Sequence, residues 1–574
     1  MTDTIPIQFD GDTLHARPGE TLAATLIAHG VQTFRTTGTG APRGVFCGMG
    51  VCQDCLVEID GVANRRACMT KIDRPLTVRS GAQSRPLPAV VAGAGTGAAA
   101  VFEAPRIEVR EPQVLVIGAG PGGLSAALAA RRAGASVTVL DERSQAGGQY
   151  YKQLGVDAAA QHVPGADRQH ARGAQLIAAA RDAGVQIVSD ALVWGAFEPR
   201  EFVATVGGRS VRFRPAAAIV ATGAYERGWQ VPGWTLPGVM TTGAAQTLWR
   251  TSRRLPGRRV LIAGNGPLNL QLAAELTAGG AQVVAVVEAA RAPAPRDVRA
   301  LLTMAFAAPA LIAEGLRYRR IARGANVELI HAQVIESIAQ GPDGLEATLA
   351  GVAGQPGGRR FVVDAVCLGY GFEPANELLR ALGCEHTFDE KRRQLATRRD
   401  DDGQTTIERV YALGDCTGLG GAKAALAEGT LVGLAVARSL GLGRADAGAD
   451  RARARAAREL ATQRRFQRAL WTLYAGAQPR PAQACGDTLI CRCEEVSFAT
   501  LDAALAEGLS TVGAIKRRTR IGMGRCQGRY CAPVLDEIVC ERYGRARDEM
   551  SGFAPRVPVK PVSIAELAGR GDAR

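Results

Sequence analysis

Eight of the 13 cysteines stand in two groups of four, and each group obliges the chain to return four sulfurs to one place. Near the start, Cys47, Cys52, Cys55 and Cys68 are spaced C-x4-C-x2-C-x12-C within VFCGMGVCQDCLVEIDGVANRRACM. Near the end, Cys491, Cys493, Cys526 and Cys531 are spaced C-x-C-x32-C-x4-C. Three close ligands and a lone fourth make the plant-type pattern of a [2Fe–2S] centre, whereas zinc favours two C-x2-4-C pairs set further apart. Glycines in that loop let backbone N–H groups turn toward sulfur and offset charge that is costly in a low dielectric. The later group, two close pairs far apart, leaves zinc and [2Fe–2S] both open on spacing alone. Arg492, Arg525 and Arg529 interleave its ligands and would ease the charge cost of reduction.

Between the quartets lie glycine-rich turns. The apolar run VLVI leads into Gly118, Gly120 and Gly123, then an alanine-rich helix, then VTVLD ending at Asp141. Glycines there permit a tight turn and close approach of a pyrophosphate, the helix N-terminus faces the phosphates, and the carboxylate holds a ribose hydroxyl pair. Downstream, AAAIVATG carries Thr222 and Gly223, and YALGD carries Gly414 and Asp415 before a small-residue helix from about Gly421. A second unit runs from VLIA through Gly264, Gly266 and Asn269 to a strand ending at Glu288. Asn269 replaces the third glycine and would hinder close packing, while Glu288 favours NAD or another adenine nucleotide over NADP. A structural remnant is the competing reading of that unit.

Residues 5–9 and 13–17 alternate as a hairpin around Asp10-Gly11, and residues 21–29 read as a helix. Residues 86–111 are rich in Pro, Gly and Ala and read as a tether. The stretch LLTMAFAAPALI, between Arg299 and Arg320, reads as a core or interdomain helix, with a docking surface as the sharper alternative. In the last quartet Ser497 is the expected N-cap of a helix starting at Phe498. The six histidines form no H-x-x-H group, so no catalytic residue can be assigned.

The formal charge is +14, but two oxidised four-thiolate centres and a bound dinucleotide, about −2 each, would bring it to about +8. Eight arginines between Arg444 and Arg468 face three acids. That segment could meet an acidic partner or anionic lipid, but a solvated helix is the simpler reading, and no nucleic-acid motif accompanies it. The opening residues carry acids and no apolar core, so no secretory leader is expected. No run reaches the roughly 18 to 20 apolar residues of a membrane span. A cytoplasmic chain is expected, with peripheral contact at the inner face of the membrane compatible with its basic segment.

The combination of Gly118-Ala-Gly120-Pro-Gly-Gly123, Ala221-Thr222-Gly223 and YALGD resembles the two-dinucleotide-binding-domain flavoproteins related to glutathione and thioredoxin reductases. That resemblance implies FAD, with Asp415 on its ribityl chain, and GGQYY (147–151, with Gly148 and Gln149) could line the flavin. The redox-active dithiol of disulfide reductases is missing, since Cys367, Cys384 and Cys416 are isolated. C-x-C-E-E-V and its spacing resemble the bacterioferritin-associated-ferredoxin-like (BFD-like) [2Fe–2S] domain, a helical module. The whole order looks like a fusion of the iron–sulfur and flavoprotein subunits of the hydrogen cyanide synthase, opine oxidase and hydroxyproline dehydrogenase group.

The fold expected is multidomain α/β. It comprises a ferredoxin-like α+β domain (1–85), the tether (86–111), a split FAD domain (112–235 and 363–440) and an inserted Rossmann-like nucleotide domain (236–362). An Arg-rich connector (441–484), a BFD-like domain (485–545) and a tail (546–574) complete it. The resemblance implies an electron-transferring subunit that carries FAD and two [2Fe–2S] clusters. Its partner would be a D-amino-acid-oxidase-like flavoprotein oxidising an amino or imino acid, and its acceptor a quinone or cytochrome. The alternatives are a self-contained NAD(P)H-dependent reductase, and a redox sensor that would need a DNA-binding motif the sequence lacks.

Overall fold

The computed structural model describes residues 4–81, 107–155, 166–352, 357–443, 447–474 and 484–567. The first unit is a five-stranded mixed sheet ordered Asp12–Ala16, Ile5–Phe9, Leu76–Ser80, Leu56–Ile59, Val62–Arg66. Its opening hairpin turns at Asp10 and Gly11, both at positive φ, the primed-turn geometry that matches strand twist. The helix Leu22–Ala28 packs on this sheet, with Thr21 Oγ1 accepting from Ala24 N at 3.3 Å. Buried Glu20 accepts from Arg17 N and Thr25 Oγ1 and pairs with Arg254, which ties this unit to the rest of the chain.

The flavoprotein core holds a parallel sheet ordered Gln186–Val188, Val137–Leu140, Val114–Ile117, Ala217–Val220, Val410–Ala412. Its inner strands are buried throughout, with helices Pro121–Arg132, Ala166–Asp182 and Ala422–Ser439 packed on one face and strands Leu192–Glu198, Glu201–Val206 and Arg209–Phe213 on the other. The edge strand Val410–Ala412 arrives nearly 200 residues after its neighbour Ala217–Val220, so the sheet is split in sequence. Helices Pro121–Arg132 and Ala422–Ser439 lie in close contact, and at Gly429 a Cβ would stand 2.3 Å from Gly122 O. Glycine there lets the two backbones touch.

The intervening chain builds a second parallel sheet, ordered Val239–Thr241, Ala365–Gly369, Arg259–Gly264, Gln282–Glu288, Glu328–His331. Its strand Ala365–Gly369 lies past residue 362, so the inserted unit extends a few residues beyond the boundary drawn from sequence. Most of the expected tether falls outside the described residues, and its final part is the strand Glu108–Arg110, paired parallel to Arg209–Phe213.

The helix Ala447–Tyr474 carries the arginine-rich segment. Beyond it, the bridge of Leu489–Cys491 to Val496–Ser497 precedes helices Phe498–Ala506, Val512–Thr519 and Ala532–Tyr543. Ser497 caps the first of these, accepting from Thr500 N. Part of the expected tail is bound rather than loose: Val559 N donates to Trp194 O, and Lys560 pairs with Glu142.

The apolar stretch forms helices Val298–Ala307 and Pro309–Gly324, and it meets the interdomain half of its expectation: Met304 and Ala308 are buried against Phe466 and Ala469 of helix Ala447–Tyr474, whereas Phe306 is 84% exposed and Leu302 and Leu316 are more than half exposed. Apolar composition alone could not tell a buried helix from an exposed one. Among the described residues no single helix is long and apolar enough to cross a membrane.

Candidate cofactor sites

Because the strands of the first parallel sheet all run the same way, its sequence motifs emerge at one edge. Gly118, Gly120 and Gly123 turn at the end of Val114–Ile117, Asp141 ends Val137–Leu140, Thr222 and Gly223 follow Ala217–Val220, and Gly414-Asp415 follows Val410–Ala412. This is the carboxyl edge where open α/β sheets bind ligands. Gly118 is at φ 108, and a Cβ on Gly123 would meet Gly118 O at 1.9 Å, so only glycine permits the turn. At Gly120 and Gly223 a Cβ would meet nothing within 4 Å, so open space stands before both glycines. Asp141 accepts from Ala119 N at 2.6 Å and Arg143 N at 2.8 Å, and burial pushes its carboxyl up. Asp415 Oδ1 accepts from Gly420 N and Gly421 N at the start of helix Ala422–Ser439. Gly147 N donates to Ala119 O, which folds the Gly148-Gln149 turn over the phosphate-type loop. The residues present fit a bound flavin dinucleotide.

Two neighbours of that edge have no signal in the sequence. Lys152 is fully buried and donates to Gln246 Oε1, and burial drives its ammonium well down. Glu226 accepts from Gly243 N, and burial, partly offset by Thr241, Gly243 and Lys152, pushes its carboxyl up to about 7. Neither belongs to a motif, and only tertiary packing brings them together.

The second nucleotide-type turn is also present. Gly266 N donates to Glu288 Oε1 at 2.9 Å. Buried Asn269 spends its amide on Thr242 Oγ1 and Gly369 O, which absorbs the side chain that replaces the third glycine. Asn265 Nδ2 donates to Tyr474 O, so the last turn of helix Ala447–Tyr474 lies over the turn carrying Gly264 and Gly266. Glu288 is buried beneath it, with its carboxyl pushed well up by that burial.

All 13 cysteines are free thiols, and both quartets are gathered. Within each, sulfurs meet two by two: Cys47 with Cys52, Cys55 with Cys68, Cys491 with Cys531 and Cys493 with Cys526. No three metal-binding side chains among the described residues converge on one point. Two pairs of thiolates suit two irons better than a single tetrahedral ion, so the donor sets fit a binuclear centre at each quartet. Burial raises the Cys47 thiol, but the Cys52 thiol and the N–H groups of Met49 and Cys52 outweigh it and draw Cys47 down to about 6. Cys491 is also drawn down to about 6, chiefly by Cys531 and then by surrounding N–H groups, against burial. Cys485 is exposed, Cys540 bonds Asp536, and Cys416 bonds Val220 O and Leu413 O, so these three stand apart from the quartets.

The two cysteine loops touch. Arg492 Nε lies 2.5 Å from Asp54 Oδ2, with both side chains almost wholly buried. Arg43 pairs with Glu495 at 3.0 Å, and Cys493 Sγ is 4.0 Å from Cys52 O. Phe46 packs edge-on against Trp234 and Tyr530, and the Arg492 guanidinium lies 3.6 Å from the Phe46 ring centroid. The first loop also reaches the flavin-type edge. Arg66 donates to Gly50 O and pairs with Glu142, next to Asp141. A cleft there is lined by Gly48, Cys68 and Met69 on one side and Arg143, Gly148 and Lys152 on the other.

Residues 112–429 match the family described as pyridine nucleotide-disulphide oxidoreductase. The chain belongs to that family. Residues 2–83 match the 2Fe-2S iron-sulfur cluster binding domain, and 486–570 match the sarcosine oxidase A3 domain, which spans much of the expected tail. An opine oxidase subunit from Agrobacterium tumefaciens (strain Ach5) is 34% identical over 79% of this chain and 91% of its own length. The hydrogen cyanide synthase subunit HcnB of Pseudomonas protegens is 29% identical over 79% of this chain and 96% of its own length. The alpha subunit of sarcosine oxidase from Corynebacterium sp. (strain P-1) is 24% identical over 99% of this chain, which spans 56% of that relative's length. The crystal structure of L-proline dehydrogenase from P. horikoshii covers 99% of this chain and is itself covered to 98%, with TM-score 0.68 and 19% identity, a likeness of fold. Within the family, the chain falls in the group of the opine oxidase and HcnB subunits. It is an FAD- and iron–sulfur-dependent oxidoreductase.

Proposed function

We propose that this chain is the electron-transferring subunit of a heteromeric amino- or imino-acid dehydrogenase. A D-amino-acid-oxidase-like flavoprotein subunit oxidises the amine, and this chain passes the electrons through FAD and two [2Fe–2S] centres to a quinone or cytochrome. The observation that carries the reading is the direct contact between the two cysteine loops, with the first also tied through Arg66 and Glu142 to the flavin edge. When bound, a flavin accepts electrons in pairs and releases them singly, and each iron–sulfur centre holds one. The protein's own contribution is to hold these sites close together in a water-poor interior. Asp141, Asp415 and the N–H groups around them would hold the flavin, and the paired thiolates, with Arg492 beside them, would hold the irons. Relatives named as subunits of opine oxidase and hydrogen cyanide synthase support a partner of the amine-oxidising kind.

Two experiments test this. Co-expression with a D-amino-acid-oxidase-like subunit encoded nearby should yield a stable complex whose flavin and iron bleach on adding an opine, hydroxyproline or glycine. Bleaching of the isolated chain by NADH under anaerobic conditions, with no complex formed, would instead establish the self-contained reductase. The covering of the second glycine turn by Tyr474 weighs against that alternative. Replacement of Cys55 or of Cys493 by Ser should each lower bound iron from about four to about two per chain, measured with labile sulfide.

A further inference from the structure

The ion pair joining the two cysteine loops has an unusual address. Asp54 stands between ligands Cys52 and Cys55 of the first quartet, and Arg492 stands between ligands Cys491 and Cys493 of the second. The backbone of neither can shift without moving a thiolate on each side of it. The pair is closed to water, with 3% of the Arg492 side chain exposed and 1% of that of Asp54. Arg492 is not used up by this contact, because Nε and Nη1, like Asp54 Oδ2, are buried and make no hydrogen bond among the described residues, so the pair is held by charge and packing.

The charges around the pair do not balance. Arg35 contacts Asp54 at 3.2 Å, Arg43 pairs with Glu495, and Arg492 faces Asp54, so three cations meet two anions. Arg525, near Arg35 and Cys493, is exposed and faces Glu494, so it leaves that excess of one cation unchanged. An excess cation in a site closed to water is costly unless another anion lies beside it. Thiolate-bound iron–sulfur centres are anionic, and the two quartets flank this pair in sequence and in space.

We propose that Arg492, held by Asp54, is the positioning residue that couples the two iron–sulfur centres. It fixes their separation and makes the reduction potential of each depend on the charge of the other. The inference rests on the two-centre reading of the proposed function. Phe46, Trp234 and Tyr530 close the space around it, so no water screens the coupling.

The test uses the full-length holoprotein, first assayed for iron and sulfide. About four irons per chain support the two-centre reading, and about two overturn both that reading and this inference. The protein is then titrated anaerobically and followed by electron paramagnetic resonance. The wild type should show signals broadened or split when both centres are reduced, and narrow when only one is. Independent, unbroadened signals with about four irons overturn this inference alone, whatever the variants do. Arg492→Gln should shift the electron distribution between the centres at least tenfold, about 59 mV, by lowering the potential of the centre nearer the lost charge. Arg492→Lys should restore most of that shift, because it keeps the charge. A fully loaded Arg492→Gln protein within twofold of wild type overturns the proposal.

Discussion

Glu226 shows how a single buried carboxyl can set a pH dependence. Its ordinary value is 4.5, and burial raises it to about 7 in the folded protein. The folded state therefore binds the proton more tightly than the unfolded chain, and this contribution to stability is full below about 4.5 and lost as pH rises through about 7. The loss amounts to about 3 kcal/mol. Glu226→Gln should remove this slope, so that the flavin-free variant gains stability over wild type at pH 8 but not at pH 4.5, read from urea midpoints. Asp415 acts at a different level. Asp415→Ala frees the N–H groups of Gly420 and Gly421 and should weaken flavin retention tenfold or more, measured as flavin per chain after dilution. Asp415 was legible in sequence because it sits in a motif. Glu226 and Lys152 were not, because their proximity is made by packing across strands remote in sequence.

At the level of elements, the cysteine and glycine patterns were readable because each needs short spacings or positive φ that few residue types supply. The split of the flavin sheet was also readable, since YALGD and the phosphate turn belong to one edge. What escaped was how elements face one another. The helices Val298–Ala307 and Pro309–Gly324 look like core by composition, yet present Phe306 and Leu316 to solvent. The contact between the cysteine loops was equally hidden, because an aspartate and an arginine 438 positions apart carry no local signal. Helix packing gives a sharper expectation. Gly429→Val would drive a side chain against Gly122 O, and should cost about 1–3 kcal/mol or more, seen as a lower urea midpoint with early flavin release.

Across the whole molecule, Glu142 gathers three parts of the chain: it follows Asp141 of the flavin edge, pairs with Arg66 from the first cysteine unit, and pairs with Lys560 near the C-terminus. Surrounding cations outweigh burial and hold its carboxyl at about 2. Ending the chain before Val557 would remove Lys560 and the bond of Val559 N to Trp194 O. The shortened protein should unfold and release flavin at a lower temperature, followed by flavin fluorescence on heating, while iron content stays near that of the full chain. The Asp54–Arg492 pair carries a consequence for biogenesis. Roughly 420 residues separate Cys68 from Cys491, so at about 5–20 residues per second the first cysteine unit leaves the ribosome some 20–80 s before its counterpart exists. Throughout that interval Asp54 lacks Arg492, and the surface destined to meet the C-terminal unit faces the solvent. Iron can therefore reach the first quartet through an open door, which the last-made part of the chain then shuts.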